Sequence, residues 1–325
     1  MIEYAPLFPL LVPSFSSKGN LLIPQSDGTY RSDNYSLLQS LDTRISKSYL
    51  VSAYDIYYGF LPQNPNDWPE TDYLFIDSGG YEINDSFDLS ERNKFNYQVF
   101  PWDRDKMREV YSAVISCPKF QNSAVILSSY DTIGPFEQQL SGTLSLIKEY
   151  PRSIVNFLIK ICFPIEELLN TINEKKGCLD SINIIGFTEK ELGYTVKERL
   201  LNLVRIKRQL ISCGWHGSIH IFGGLEPSLV KLYYVAGADI FDGLSWQRMF
   251  YRNSASLFNP ETFYISLPEH ENKFLMMLEN LSMLQGVSND LAAISDMRIE
   301  KMNLLESCIT SDEMTIKDIL TIVEV

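Results

Sequence analysis

The sequence predicts a (β/α)8 TIM barrel with a short N-terminal strand region and a helical C-terminal extension. Three observations carry that expectation. From about residue 48 onward, short apolar runs alternate with longer stretches of mixed polarity. Most of the short runs are apolar at consecutive positions, as strands covered on both faces must be. Two of them, Tyr73-Leu74-Phe75-Ile76-Asp77 and Gly237-Ala238-Asp239-Ile240-Phe241-Asp242, stop at an Asp with glycine close behind. In a barrel of alternating strands and helices, groups that act on a ligand stand at the carboxyl ends of strands, beside loops whose glycines let the ligand reach backbone.

Taken in order, residues 1–45 mix apolar runs such as Leu7 to Pro13 with Ser, Gly and Pro, and read as short strands and turns capping the bottom of a barrel. Strands are expected at 49–53, 73–76, 124–128, 156–161, 181–185, 218–222, 239–241 and 262–266. Helices are expected between them at 104–116, 136–150, 165–173, 196–212 and 227–235. In the fourth of these, Glu198, Leu201, Val204, Ile206 and Leu210 give the mixed face of an outer helix. The tail is helical in pattern over 270–285, 290–309 and 315–323. With no linker rich in Gly, Ser or Pro and no repeat, the division is one barrel domain over 1–268 and a helical extension over 269–325 packed on it.

Composition narrows the function. The chain has 325 residues, 45% of them apolar, enough for a large core. No apolar run approaches the ~18 residues of a membrane span, so no membrane partner is expected. The segment Met1 to Pro6 lacks the basic flank and apolar core of a signal peptide. Cys117, Cys162, Cys178, Cys213 and Cys308 are scattered, without a CxxC, as reduced thiols in a cytoplasm are. Against 28 basic residues stand 41 acidic ones, a net charge of −13. Nucleic-acid binders gain affinity by neutralising phosphates, so this balance argues against a strong independent grip on DNA or RNA.

Two carboxylates at one barrel mouth, Asp77 and Asp242, suit a nucleophile and an acid/base group at a glycosidic carbon. His216 and His220 are four residues apart, but one lies in the turn Gly214-Trp215-His216-Gly217 and the other in a strand, which is not the geometry of a helical metal pair. An unrelated barrel hydrolase acting on sugars would also need two carboxylates, but not the glycines after Asp77.

The segments Asp77-Ser78-Gly79-Gly80-Tyr81 and Asp239-Ile240-Phe241-Asp242 resemble, in order, those of the tRNA-guanine transglycosylase family and its relatives that insert 7-deazaguanine bases into DNA. Further similarity runs through Ser129-Tyr130-Asp131-Thr132, the stretch from Ile185 to Gly193, and His220-Ile221-Phe222-Gly223-Gly224, covering roughly residues 50 to 250. The resemblance implies that Asp242 is the nucleophile and Asp77 the acid/base. It implies that Ser78, Gly79, Gly80, Asp131, Lys160, Gly186, Glu189, Gly223, Gly224 and Arg248 bind substrate, Asp131 by accepting the paired N–H donors of a guanine-type base. Arg248, with Arg252 nearby, would take a phosphate.

The chain departs from the family at three places. Gly186 is followed by Phe187 rather than a second glycine, Lys160 stands where tRNA-exchanging members carry Gln, and the zinc motif of those members is missing. After Asp242 only Cys308 and His270 remain, too few for a closed tetrahedral site, so no metal and no cofactor is expected. The missing zinc motif favours DNA over tRNA as the partner, as in the DNA-modifying and antiviral-defence relatives. They also leave open a catalytically weak or inactive 7-deazaguanine-binding subunit, working as a homodimer or with a partner subunit.

Overall fold

The computed structural model describes residues 9–18, 22–24, 30–40, 47–84, 98–252, 255–258, 269–311 and 316–323. The chain opens with β1 (Leu10–Phe15), the hairpin β2 (Leu22–Pro24) and β3 (Tyr30–Ser32), and α1 (Asp33–Ser40). It continues through β4 (Ser48–Ser52), α2 (Ala53–Tyr57), β5 (Tyr73–Asp77), α3 (Arg104–Ile115), β6 (Ala124–Ser128), α4 (Phe136–Glu149) and β7 (Ile154–Ile159). Next come α5 (Ile165–Glu174), α6 (Lys176–Leu179), β8 (Ile184–Thr188), α7 (Val196–Ser212), β9 (Ser218–Phe222), α8 (Pro227–Ala236) and β10 (Ile240–Gly243). Beyond the last barrel strand lie α9 (Ser245–Arg248), the hairpin β11 (Met249–Arg252) and β12 (Ala255–Phe258), α10 (Glu269–Ala293), α11 (Arg298–Thr310) and α12 (Ile316–Val323). Eight parallel strands close a barrel in the order β1, β10, β9, β8, β7, β6, β5, β4. This is the (β/α)8 architecture, with helices at the C-terminal end. No helix among the described residues is long and apolar enough to cross a membrane.

The chain divides into two compact units, one of Pro13–Ile133 and Glu137–Leu158, the other of Met1–Val12, Gly134–Phe136 and Ile159–Val325. In the first, Ser14 is in register with Leu50, Ser52 with Asp77, and Ile76 with Leu127. Leu74, Ile76 and Leu127 are fully buried. Helix α3 closes over two strands at once: the buried Tyr111 hydroxyl donates to the carbonyls of Ser128 and Ile76.

In the second unit, Gly186 is in register with His220, and His220 with Ile240. Helix α7 starts with a reciprocal cap, in which Thr195 Oγ accepts from the Glu198 N–H and the Glu198 carboxylate accepts from the Thr195 N–H. Two helices beyond the barrel fix strand and turn geometry here. Asn280 of α10, wholly buried, donates to the carbonyls of Trp246 and Met249 and accepts from the Tyr251 N–H. Arg298 of α11 donates to Asp239 Oδ1 at 2.6 Å and to the carbonyls of Tyr234 and Ala238, while its guanidinium lies over the Tyr234 ring.

The expected helices of the barrel match closely, but in the tail the break expected between 285 and 290 falls instead between Ala293 and Arg298, so that α10 runs on through 286–293, and three strands differ. Residues 10–15 do not cap the barrel: they are a stave of it, between β10 and β4. The Leu10 N–H donates to the Asp239 carbonyl at 3.0 Å. Strand β7 begins two residues earlier than expected, where Ile154 pairs with Ile126, and ends two residues earlier, because the Ile161 N–H leaves the ladder for the Glu191 carboxylate. Strand β8 starts at Ile184, because the backbone of Ile182 is taken up in a turn, its N–H donating to the Leu179 carbonyl and its carbonyl accepting from Trp215 Nε1. The expected strand over 262–266 lies outside the described residues.

Candidate active site

In the first unit Asp77 is the last residue of β5, and its Oδ2 accepts the N–H of Gly79 at 3.2 Å. Gly79 has φ +91°, which a side chain would strain, and a Cβ there would meet Trp102 and Tyr54 at 2.8 Å. Trp102 Nε1 in turn donates to the Ser78 carbonyl at 2.9 Å. Ser78 is 1% exposed, and its hydroxyl has no hydrogen-bond partner among the described residues. A buried hydroxyl left unpaired is costly unless a ligand completes it.

Asp131 reaches the same place from β6. The ladder continues past the strand, with the Ser129 N–H on the Asn156 carbonyl and the Ser129 hydroxyl accepting from the Leu158 N–H. That extension delivers Asp131 onto the backbone of Gly80, where an added Cβ would overlap its carboxylate. Asp77, Ser78, Gly80 and Asp131 are therefore brought together.

Behind them lies a group of buried polar residues that the sequence did not single out. Asp55, at the start of α2, accepts from the backbone and side chain of Ser17. Glu82 accepts from the hydroxyls of Ser16 and Ser52. Lys18, also buried, donates to the carbonyls of Tyr81 and Asn84. Burial pushes both acids above the ordinary carboxylate range; for Asp55 the charges of Glu82 and Asp77 add to the shift, while Ser17 opposes it.

In the second unit Asp242 stands on β10, 5% exposed. Its Oδ1 accepts the Gly223 N–H at 3.1 Å and lies 3.2 Å from His220 Nε2. The register explains the meeting. His220 pairs with Ile240, so Asp242, two residues on, points from the same face. Gly186 is the neighbour of His220 on the other side and has no side chain to compete for the space. Gly223 and Gly224 make the turn after β9, and Gly243 lets that turn lie close, since a Cβ there would be 3.1 Å from Leu225.

The remaining residues of this unit are engaged otherwise. Lys160 pairs with Glu191 at 2.6 Å and meets Thr188 Oγ1 at 3.2 Å. Glu189 accepts from Arg199 at 2.8 Å and from the buried Tyr233 hydroxyl at 2.7 Å, which turns it toward helices α7 and α8. Arg248 is half-buried at the end of α9, on the turn that Asn280 clamps. Arg252 is exposed on β11, and His216 lies in the turn before β9. Among the described residues no three His, Cys, Asp or Glu side chains are grouped as metal ligands would be.

His220 is the contact that sequence reasoning missed. Its signals were a histidine between two isoleucines in the strand Ser218-Ile219-His220-Ile221-Phe222 and its place at the head of the segment that ends in Gly223 and Gly224. No family model matches the chain, and no curated protein matches it.

Proposed function

We propose that this protein is a base-exchanging transglycosylase, replacing guanine with a 7-deazaguanine-type base in nucleic acid, with DNA favoured over tRNA. The observation that carries the reading is the Asp131 carboxylate seated on Gly80, three residues from Asp77, with the Ser78 hydroxyl of the same turn buried and without a partner among the described residues. A carboxylate, a hydroxyl and bare glycine backbone form the set that reads the flat, donor-rich edge of a guanine.

In the proposed reaction the Asp242 carboxylate attacks C1′ of the nucleotide. The glycosidic C–N bond breaks, its electron pair leaves with the base, and Asp77 supplies the proton. The incoming base then loses its proton to Asp77 and attacks C1′, and the ester to Asp242 breaks. Support for Asp242 comes from the Gly223 N–H and the His220 ring nitrogen, which both meet one of its carboxylate oxygens.

The test is incubation with labelled guanine and separate DNA and tRNA pools. Label should enter DNA, and denaturing gels should trap a covalent adduct. Asp242→Ala should abolish both while leaving the fold intact, and Asp77→Asn should bind base but slow both steps. A folded Asp242→Ala variant with full turnover would sink the assignment.

One observation favours a second reading. Glu189, expected to help read the base, is bonded to Arg199 and Tyr233. A subunit that only binds 7-deazaguanine within a modification or defence complex would bind base yet show no label transfer and no adduct.

A further inference from the structure

We infer that His220 is the residue that positions Asp242, by donating from Nε2 to Oδ1 of the carboxylate. The inference rests on the reading of Asp242 as nucleophile. His220 is wholly buried on β9, its Nε2 is 3.2 Å from Asp242 Oδ1, and its ring stacks on Phe222 with centroids 4.0 Å apart. Phe222 on one side and the bare Gly186 position on the next strand leave the ring a defined slot. A carboxylate is acceptor-only when ionised, so the contact requires the proton on Nε2. The Gly223 N–H converges on the same oxygen at 3.1 Å. Two donors on one oxygen fix the plane of the carboxylate.

The chemical consequence falls on the second half of the reaction. When the incoming base attacks C1′, the ester C–O bond breaks and its electron pair returns to Asp242. A donor waiting at that carboxylate makes it a better leaving group. Without the His220 donor the glycosyl-enzyme should persist, whereas a purely structural histidine would lower activity without changing which species accumulates.

Two variants separate these roles. In Gln the amide nitrogen is as many bonds from Cβ as Nε2 is in His, so His220→Gln keeps a donor, while His220→Leu fills the slot without one. Both are first checked for folding by thermal melts. His220→Leu is expected to slow breakdown of the covalent adduct on the order of ten- to a hundredfold, with base affinity little changed. His220→Gln should recover most of that rate. Equal adduct lifetimes in wild type and a folded His220→Leu would overturn the proposal.

A readout independent of turnover uses protein labelled with ¹⁵N-histidine, which contains only three histidines. Long-range ¹H–¹⁵N spectra should show a protected proton on His220 Nε2, lost in His220→Gln and exposed to exchange in Asp242→Ala. A proton carried on Nδ1 alone, or a signal indifferent to Asp242→Ala, would overturn the proposal. A protected Nε2 proton in a wild type that transfers no base would uphold the His220–Asp242 contact and defeat the transglycosylase reading instead.

Discussion

Asp131 lies against a stretch of backbone with no side chain to hold it off. If it accepts both donors of a guanine-type edge, Asp131→Ala should weaken a 7-deazaguanine ligand by roughly 2–4 kcal/mol, because two donors lose a charged acceptor. Calorimetry showing unchanged affinity would remove Asp131 from the pocket. Gly80→Ala should do similar harm from the other partner, by displacing the carboxylate. Asp55 makes a prediction about stability. Burial and its acidic neighbours raise its folded value above the ordinary 3.8, so the folded protein holds a proton that the unfolded chain releases. The stabilisation is complete below 3.8 and is lost as pH climbs through the raised value. Asp55→Asn keeps an acceptor for Ser17 but cannot ionise. Its melting temperature should fall less steeply than that of the wild type as pH rises above 3.8, and parallel curves would contradict this. Asp77 and Asp242 stand out in the sequence because each closes an apolar run, and Asp131 through the segment Ser129-Tyr130-Asp131-Thr132 that carries the resemblance. It hid Asp55, Glu82 and His220, whose partners come from distant segments: Ser17 for Asp55, Ser16 for Glu82, Asp242 for His220.

At the scale of elements, helices were legible because an outer helix displays its period in polarity and its start in a cap, as Thr195 and Glu198 do for α7. Strands were legible where the apolar run and the ladder coincide, as in β6 and β9. They were misplaced where a side chain or a turn takes the backbone away: Glu191 ends β7, and Trp215 holds Ile182 outside β8. β1 was misread because Pro13 interrupts it and Pro is uncommon inside sheets. The extension also has a task beyond covering apolar surface. Arg298 of α11 and Lys207 of α7 both meet Asp239, the residue just before β10, and the Ile219 N–H joins them. Arg298→Ala should cost about 3 kcal/mol, since a buried acid loses its best partner. Arg298→Lys should not restore it, because three acceptors are met by one planar fork. Urea melts with unchanged midpoints would show α11 to be dispensable.

For the molecule as a whole, net charge and pairing combine. The cations of α7 are the obvious candidates for a phosphate-binding surface, yet Arg199, Arg205, Lys207 and Arg208 each pair with an acid: Glu189, Glu166, Asp239 and Glu306. With a net charge of −13, little basic surface remains. The isolated monomer should therefore bind duplex DNA, single-stranded DNA and tRNA more weakly than ~1 μM at ~150 mM salt, and a second copy or a basic partner should be needed for tight binding. Nanomolar binding by monomer alone would restore an independent enzyme. The place of β1 in the barrel bears on how the protein comes into being. Leu10 leaves the ribosome long before Asp239, whose carbonyl it pairs with, has been synthesised. At ordinary elongation rates β1 waits on the order of ten to fifty seconds with that edge unpaired. The nascent chain therefore carries an open apolar stave until β10, the strand that closes on it, has been made.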